Sequence, residues 1–423
     1  MTSETVLLSE FCTVRKGLSY KGEYIHQEGP ALLGIGTIKE GGGFRPENVR
    51  TYGGPYKEEH VLNPGDVYVA LTSQDGFLIG SPAMVPKDFE GIGITTHHDA
   101  KIDWKIEDPI MQDFLFWLMH SYEFIRHCIN FSVGTTVYAT HGKDVERFHV
   151  PKELNYNQIT MTAILNSISE LEKSLKSSTI LLKEQIKLLF RSWFIDFDPV
   201  KANAEGKLPY GMDEETAALF PDSFEDSELG LVPTGWTVGM MEDVLSRKQD
   251  STTPGEHLSG RHYVPIDNID SKSLTLKNWL PYNEAASSLI LFSKNDLLFG
   301  AMRPYFHKVT IAPFDGITRS TCFVFTPKVP GTLGFSLCLL NLDSTIRYST
   351  DSSLGSTMPY AIWRNGLARH KIILPPPQIM VAFSAQIAPL IEKIRDGGLK
   401  ARNLSSARDA LLPRLMSGEL KVN

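Results

Sequence analysis

The sequence predicts an α+β protein in which two similar mixed α/β domains are joined by two long helices, packed as an antiparallel coiled coil about a pseudo-twofold axis. Three observations predict it. From Asn157 to Phe194 the chain runs nearly forty residues without Gly or Pro, and Ile164, Ile168, Leu171, Leu175, Leu182 and Leu189 recur at intervals of 4, 3, 4, 7 and 7, with Ser178 and Gln185 in the gaps. Such a heptad stripe at about 1.5 Å per residue gives a helix of roughly 55 Å, longer than a small domain is wide, so it needs a partner. A second stripe supplies one: Ile387, Leu390, Ile394, Ala401, Leu404, Leu411 and Leu415, with Gly397 and Arg408 filling the remaining heptad positions. The third observation is a repeat. Leu8–Phe11 matches Met241–Val244, Leu33–Ile38 matches Val264–Ile269, Asp66–Tyr68 matches Asp296–Leu298, and Ser132–Thr136 matches Ser353–Thr357, with offsets drifting from 233 through 231 and 230 to 221. So small a drift marks two divergent copies of one domain with short loop deletions.

The resulting order is a first domain over 1–155, a central long helix over 156–196, an acidic connector over 197–235, a second domain over 236–376 and a distal long helix over 377–423. In the first domain Leu33–Ile38 and Val67–Leu71 read as strands. Asp108 followed by Pro109 is an N-cap with proline at the first helical position, and Phe114, Leu115, Leu118, Tyr122 and Ile125 then continue one helix to about Ile129. The loop FSVGTTVYATHG and an extended piece, Phe148 to Pro151, lead into the central helix. The connector is rich in Gly, Pro, Asp and Glu, and its aromatic residues Phe194, Phe197, Tyr210, Phe220 and Trp236 are expected to hold it along a surface. The distal helix starts after Pro375–Pro377. Pro389, Pro413 and the Gly397-Gly398 pair predict a kink or break in it, since glycine costs about 1 kcal/mol relative to alanine inside a helix.

A chain of 423 residues can bury two or three cores without disulfides or metals, and its four cysteines, Cys12, Cys128, Cys322 and Cys338, stand far apart with no CxxC. A reduced, cytoplasmic protein with no membrane span is expected. The formal charge is −7, but Asp196 to Gly230 holds ten acidic and two basic residues; removing that net −8 leaves +1 for the rest. The acidity belongs to one segment, and the domains remain free to present basic faces. There is no GxxxxGK[ST], H-E-x-x-H, paired CxxC or G-x-S-x-G, so no sign of a P-loop ATPase, zinc peptidase or α/β-hydrolase. Phe89–Gly93 fits the F-x-G-x-G pattern of S-adenosylmethionine loops, but a strand follows it instead of a helix, and it reads as a turn. His97 and His98, as strand neighbours, would face opposite ways and so would not converge on a metal. Asp196–Pro199 reads as a helix-terminating turn.

Two similar readers held a helical turn or more apart suit duplex DNA, whose local twofold symmetry offers two half-sites separated by unread base pairs. Three segments sharpen this. LLFRSWFIDFDPVKANAEG, LFPDSFEDSELGLVPTGW and ARDALLPRLMSGEL, with the two GTT/GST loops, resemble the conserved regions of type I restriction–modification specificity subunits over essentially the whole chain. One departure is that the second half opens with Val232–Trp236, whereas the first starts near Leu7 without that entry. The resemblance implies two target-recognition domains, each reading one half of a bipartite, asymmetric DNA sequence. It also implies that the helices set the spacer and dock two adenine-methylating modification subunits, with restriction subunits adding ATP-dependent cleavage. The chain itself would be non-catalytic and hold no cofactor, S-adenosylmethionine, ATP and Mg residing in the partner subunits. Inserting four residues near Ser178 would then lengthen the unread spacer and leave both half-sites unchanged.

The resemblance assigns no base-reading residues, so candidates come from chemistry: Arg and Lys suit guanine and phosphate, Asn and Gln suit adenine, and Ser, Thr and Tyr suit phosphate. In the first domain these are Arg15, Lys16, Tyr20, Lys21, Thr72, Ser73, Gln74, Thr135, Thr136 and Tyr138. In the second they are Arg247, Lys248, Arg303, Tyr305, His307, Lys308, Arg319, Ser356, Thr357 and Arg364. The bland alternative for each is a solvated surface residue, and for the GTT and GST loops a brace against a helix or partner. Two other functions compete. One is a self-sufficient DNA methyltransferase using the Phe89 loop, which would crosslink S-adenosylmethionine. The other is a coiled-coil adaptor, in which mutating Arg303 and Gln74 would leave DNA specificity untouched.

Overall fold

The computed structural model describes residues 4–74, 78–274, 276 and 278–417. The chain forms two compact units, one of Met1–Glu170 with Ser405–Asn423, the other of Leu171–Leu404. Both long helices, Tyr156–Phe194 and Pro377–Ser417, contribute to each unit.

The repeat is visible as topology. In the first unit a four-stranded antiparallel sheet runs in the order Cys12–Lys16, Asp99–Trp104, Val67–Ala70, Pro82–Met84. In the second the order is Leu245–Lys248, Cys322–Pro327, Leu297–Gly300, Val309–Ile311, again antiparallel throughout. Each unit has a second sheet with one parallel pair, Ala31–Leu33 beside Gly93–Thr95 and His262–Tyr263 beside Gly316–Arg319. The segment expected as a strand over Leu33–Ile38 is a strand only to Leu33; Ile35–Thr37 is a 3-10 turn, as is its counterpart Ile266–Asn268. Each copy is closed by an antiparallel pair at its ends, Thr5–Leu7 with His149–Pro151 and Thr237–Met240 with Lys371–Leu374. The first copy therefore begins at an equivalent strand without the Trp236 entry. That tryptophan, 3% exposed, belongs to the core of the second unit.

Asp108 caps Pro109–Leu118 by accepting from the Ile110 and Met111 amides. The single helix expected here is two. The chain turns at His120, and Ser121 caps Tyr122–Asn130 through the Phe124 amide, because a side-chain oxygen offers the orphan N–H groups an alternative to a continuing helix. The connector is more ordered than its Gly, Pro, Asp and Glu content suggests, with helices Asp198–Ala204 and Glu214–Ala217 and a hairpin of Phe224–Ser227 and Gly230–Pro233. Phe194, Phe197, Phe220 and Trp236 anchor it in the core, whereas Tyr210 is fully exposed. Asp196–Pro199 is the expected turn, with Phe197 at φ 54° and Arg191 Nε 2.8 Å from Asp196.

Within the second unit the two long helices run in opposite directions: Thr179 meets Gly397, and the Phe190 and Phe383 rings lie 5.6 Å apart. Ile387, Ile391 and Ile394 are buried there, with Leu390 packed against them and Leu404 half-buried. In the first unit Met161 and Leu165 are buried, with Ile164, Leu411 and Leu412 packed on the same core. The seam on the first helix departs from the expected one at Leu171 and gains a second row of residues. Ile168, Leu175, Leu182 and Leu189 are half-buried as read, but their companions are Leu165, Glu172, Thr179 and Ile186, and Leu171 is 50% exposed. The cause lies at the helix end. Phe190, Trp193 and Phe194 are large aromatic residues, all three are buried, and turning them inward fixes which face follows at 3- and 4-residue steps.

The distal helix is one continuous span, Pro377–Ser417, with no break at Gly397-Gly398. Gly397 faces the central helix: a Cβ there would lie 3.4 Å from Thr179 Oγ1, an ordinary contact, so the helices approach closely at this point with room for no more than a methyl. The side chain of Leu415 lies outside the described residues. Cys12, Cys128, Cys322 and Cys338 are free and buried, and burial pushes the Cys12 thiol up to about 12. Among the described residues no helix is long and apolar enough to cross a membrane.

Candidate nucleic-acid interface

One hydrogen-bond ladder occurs in both units. In the first, the Leu71 amide donates to the His98 carbonyl at 2.9 Å, the Thr140 amide donates to the Leu71 carbonyl at 2.9 Å, and Thr72–Ser73 pairs with Tyr138–Ala139. In the second, the Ala301 amide donates to the Thr321 carbonyl at 2.8 Å, the Ala361 amide donates to the Ala301 carbonyl at 2.8 Å, and Met302 bridges Tyr360. The shared pattern makes Ser73 the counterpart of Arg303 and His98 that of Thr321.

The GTT and GST loops are the far side of this ladder. Val133 and Ala139 exchange both backbone bonds at 2.8 and 2.9 Å, and Leu354 and Tyr360 exchange theirs at 3.0 and 2.8 Å. Each pair closes a tight loop that glycine makes possible. At Gly134, φ is 128° and a Cβ would sit 2.0 Å from the Val137 carbonyl oxygen; at Gly355, φ is 89°. Thr135, Thr136 and Tyr138 are exposed on the first loop, Ser356 and Thr357 on the second, beside the apolar Val133, Val137, Leu354 and Met358.

Around the first ladder the structure gathers Thr72, Ser73, Gln74, the GTT loop and, by way of His97-His98, Lys16 and Tyr20. Thr72 Oγ1 is 3.0 Å from His98 Nδ1, and the Tyr20 and His97 rings are 5.8 Å apart. Ser73 is 2% exposed, so its side chain serves the interior. Arg15 is committed to Asp103 at 2.7 Å and Glu59 at 3.6 Å, and Lys21 stands 3.8 Å from Glu23. His97 and His98 do not face apart as strand neighbours would. Asp99 accepts from the Thr96 amide and hydroxyl, curling the chain into a turn that sets the two rings 3.8 Å apart. Burial, then His97 and Lys16, lowers the His98 pKa from its ordinary value. No cluster of three metal-capable side chains occurs among the described residues. Phe89 packs on Phe44, ring centroids 6.0 Å apart, and the chain after it enters the strand Gly93–Thr95.

The second rim is richer in arginine. Arg247 lies 4.1 Å over the Phe323 ring, and burial lowers its pKa while Tyr360 opposes the shift; a guanidinium keeps its charge regardless. The Tyr360 hydroxyl donates to the Ser320 carbonyl beside Arg319. Arg303 donates its amide to the Pro359 carbonyl at 2.7 Å, and its Nε is buried without a hydrogen-bond partner among the described residues. Tyr305 is 48% exposed, and Arg319 and Arg364 are exposed. Three candidates point inward instead: Lys248 pairs with Asp296 at 2.8 Å, Lys308 Nζ donates to the Ile266 carbonyl at 2.9 Å, and His307 is 6% exposed.

Sequence reasoning passed over a cleft in the first unit lined by Tyr20, Thr37, Asn48, Arg50, Thr96 and His98, and passed over Tyr360 and Phe306 in the second. Tyr360 was recoverable from the repeat, because it occupies the place Ala139 holds in the first copy.

No family model matches the chain. The type I restriction enzyme MjaIX specificity subunit of Methanocaldococcus jannaschii is 26% identical over 334 residues, 75% of this chain and 71% of that one. The type I restriction enzyme HindI specificity subunit of Haemophilus influenzae is 23% identical over 311 residues, 62% of this chain and 67% of the relative. The crystal structure of the type I restriction–modification S subunit from M. genitalium superposes with a TM-score of 0.59 at 12% identity, covering 98% of this chain and 96% of that one. These relatives are type I specificity subunits, and the fold is that of an S subunit. The two ladders described above are thus the equivalent rims of the two copies within an S-subunit fold.

Proposed function

We propose that this chain is the DNA-sequence-specificity subunit of a type I restriction–modification assembly, a recognition component and not its catalyst. Each unit reads one half of a bipartite, asymmetric target through the rim of its ladder. The observation that carries this reading is one scaffold with two different rims. The ladder bonds are the same, yet the rung that is a buried serine at Ser73 is, at Arg303, an arginine with no carboxylate partner among the described residues. Keeping the backbone frame and changing the side chains at its edge is what two different half-sites require, since base edges are told apart by side-chain donors and acceptors.

The long helices set the spacer and dock two methyltransferase subunits, which supply S-adenosylmethionine; restriction subunits supply the ATP- and Mg-dependent steps. Leu181, Leu188 and Ile195 favour docking at the first helix: they recur every seven residues and are 71%, 62% and 48% exposed, an apolar stripe that water leaves unsatisfied. The test is genome-wide mapping of methylated adenine in cells with this chain and its modification partner, against cells lacking only this chain. A split motif that vanishes on deletion supports the function; unchanged methylation with an active partner refutes it. Arg303→Ala is expected to relax one position in the second half only and to weaken binding by about 1–3 kcal/mol.

A further inference from the structure

We infer that Tyr305 and Phe306 form an aromatic wedge that enters the duplex between two base pairs of the half-site read by the second unit; this rests on the DNA-reading function proposed above. The two rings are 48% and 45% exposed with centroids 4.8 Å apart. They belong to the turn Pro304–Phe306, which the chain on either side holds in place. Pro304 is buried beneath it. Before it, Arg303 takes the left-handed conformation at φ 51°, and after it His307 takes the same at φ 52°, a backbone that residues other than glycine rarely hold.

Both ends are tied down: the Arg303 amide donates to the Pro359 carbonyl at 2.7 Å, and the Lys272 amide donates to the His307 carbonyl at 2.8 Å. His307 is itself 6% exposed, with Asp343 3.7 Å from its Nδ1. A loop held in an unfavourable backbone by such bonds, only to present two aromatic rings to water, is preorganised for a flat apolar partner.

Charge narrows that partner to nucleic acid. The same rim carries Arg247, Arg303 and Arg319, none in an ion pair with a carboxylate among the described residues, and the hydroxyls of Ser356 and Thr357 on the adjoining loop. Guanidinium and hydroxyl groups beside stacked rings match phosphates beside stacked bases. Apolar wedges of this kind part a base step and kink the duplex, which brings more of the rim onto the backbone. The step entered is expected to be pyrimidine–purine, because those steps unstack most readily.

The test uses the full chain in its methyltransferase assembly, on the duplex returned by methylation mapping, with 2-aminopurine at successive positions. Binding should brighten one step in the second half-site several-fold and none in the first. Tyr305→Ala with Phe306→Ala should abolish the signal and weaken binding tenfold or more, each single substitution should do so in part, and Tyr305→Phe should retain both; thermal melting should be unchanged because the rings are exposed. A bound target with no bright step overturns the wedge, as does a double variant that binds and brightens like the parent. Lost methylation with unchanged DNA affinity also overturns it and assigns the rings to a protein interface. An assembly with no sequence preference in any form overturns the DNA-reading function itself.

Discussion

Replacing Gly397 by alanine tests whether the two long helices meet where Thr179 faces Gly397. Glycine inside a helix is about 1 kcal/mol less favourable than alanine, through the backbone entropy lost on folding. The added methyl would come to 3.4 Å from Thr179 Oγ1, at the edge of ordinary contact, and no other neighbour is nearer. Thr179 donates that hydroxyl to the Leu175 carbonyl at 2.8 Å, a bond that survives a shift of a few tenths of an ångström. The propensity gain therefore outweighs the contact, and Gly397→Ala should stabilise by about 0.5–1 kcal/mol, or roughly 2–3 °C in the melting of a unit of this size. Gly397→Leu has no such room and should destabilise by about 1–3 kcal/mol through overpacking. Thermal denaturation of the full chain, followed by circular dichroism or calorimetry, reads both. Leucine tolerated without loss would refute the close approach, and a lower melting temperature for alanine would refute the helical backbone with room for a methyl at Gly397.

Gly134→Ala places a methyl 2.0 Å from the Val137 carbonyl oxygen at φ 128°, so the GTT loop must rearrange. Discrimination in the first half-site should fall while the second stays intact, measured by competition with duplexes mutated in one half at a time. Asp99 is buried, which pushes its carboxyl up to about 7 against the opposing bonds from Thr96. A carboxyl with a raised folded-state pKa contributes stability that is full below the unfolded value near 4 and is lost as pH rises toward 7. The first unit should weaken over that window and Asp99→Asn should flatten the profile, read from urea midpoints at several pH values; a profile identical to the parent's would count against the buried acid. Leu181→Lys with Leu188→Lys should leave folding intact, since both are exposed, and abolish co-purification with the modification subunit.

Much of this architecture is legible in the residues alone. A stretch of nearly forty residues without Gly or Pro can be little other than a helix, and Asp108-Pro109 announces the start of another, because these signals depend on the local backbone. The duplication is legible too, since a shared frame leaves its turn residues in matching order. The helix seam was half legible: the row Ile168, Leu175, Leu182, Leu189 is apolar by itself, but its companion row holds Glu172 and Thr179, which no hydrophobic pattern would select. Only the packing of Phe190, Trp193 and Phe194 decides that rotation.

The rims divide the same way. Composition identifies Arg303, Tyr305 and Arg364 as residues able to meet DNA, and equally Lys248, Lys308 and His307, which the fold turns inward to Asp296, the Ile266 carbonyl and a buried niche. A side chain's chemistry is written in the sequence; whether that chemistry is left for a ligand depends on which carboxylates and carbonyls the fold brings within about 3 Å of it. Here the sequence by itself determined the two copies, the two helices and the residue types available for contact. The tertiary structure decided which arginines are left without a carboxylate partner among the described residues, because pairing is a property of neighbours that lie tens of residues away along the chain.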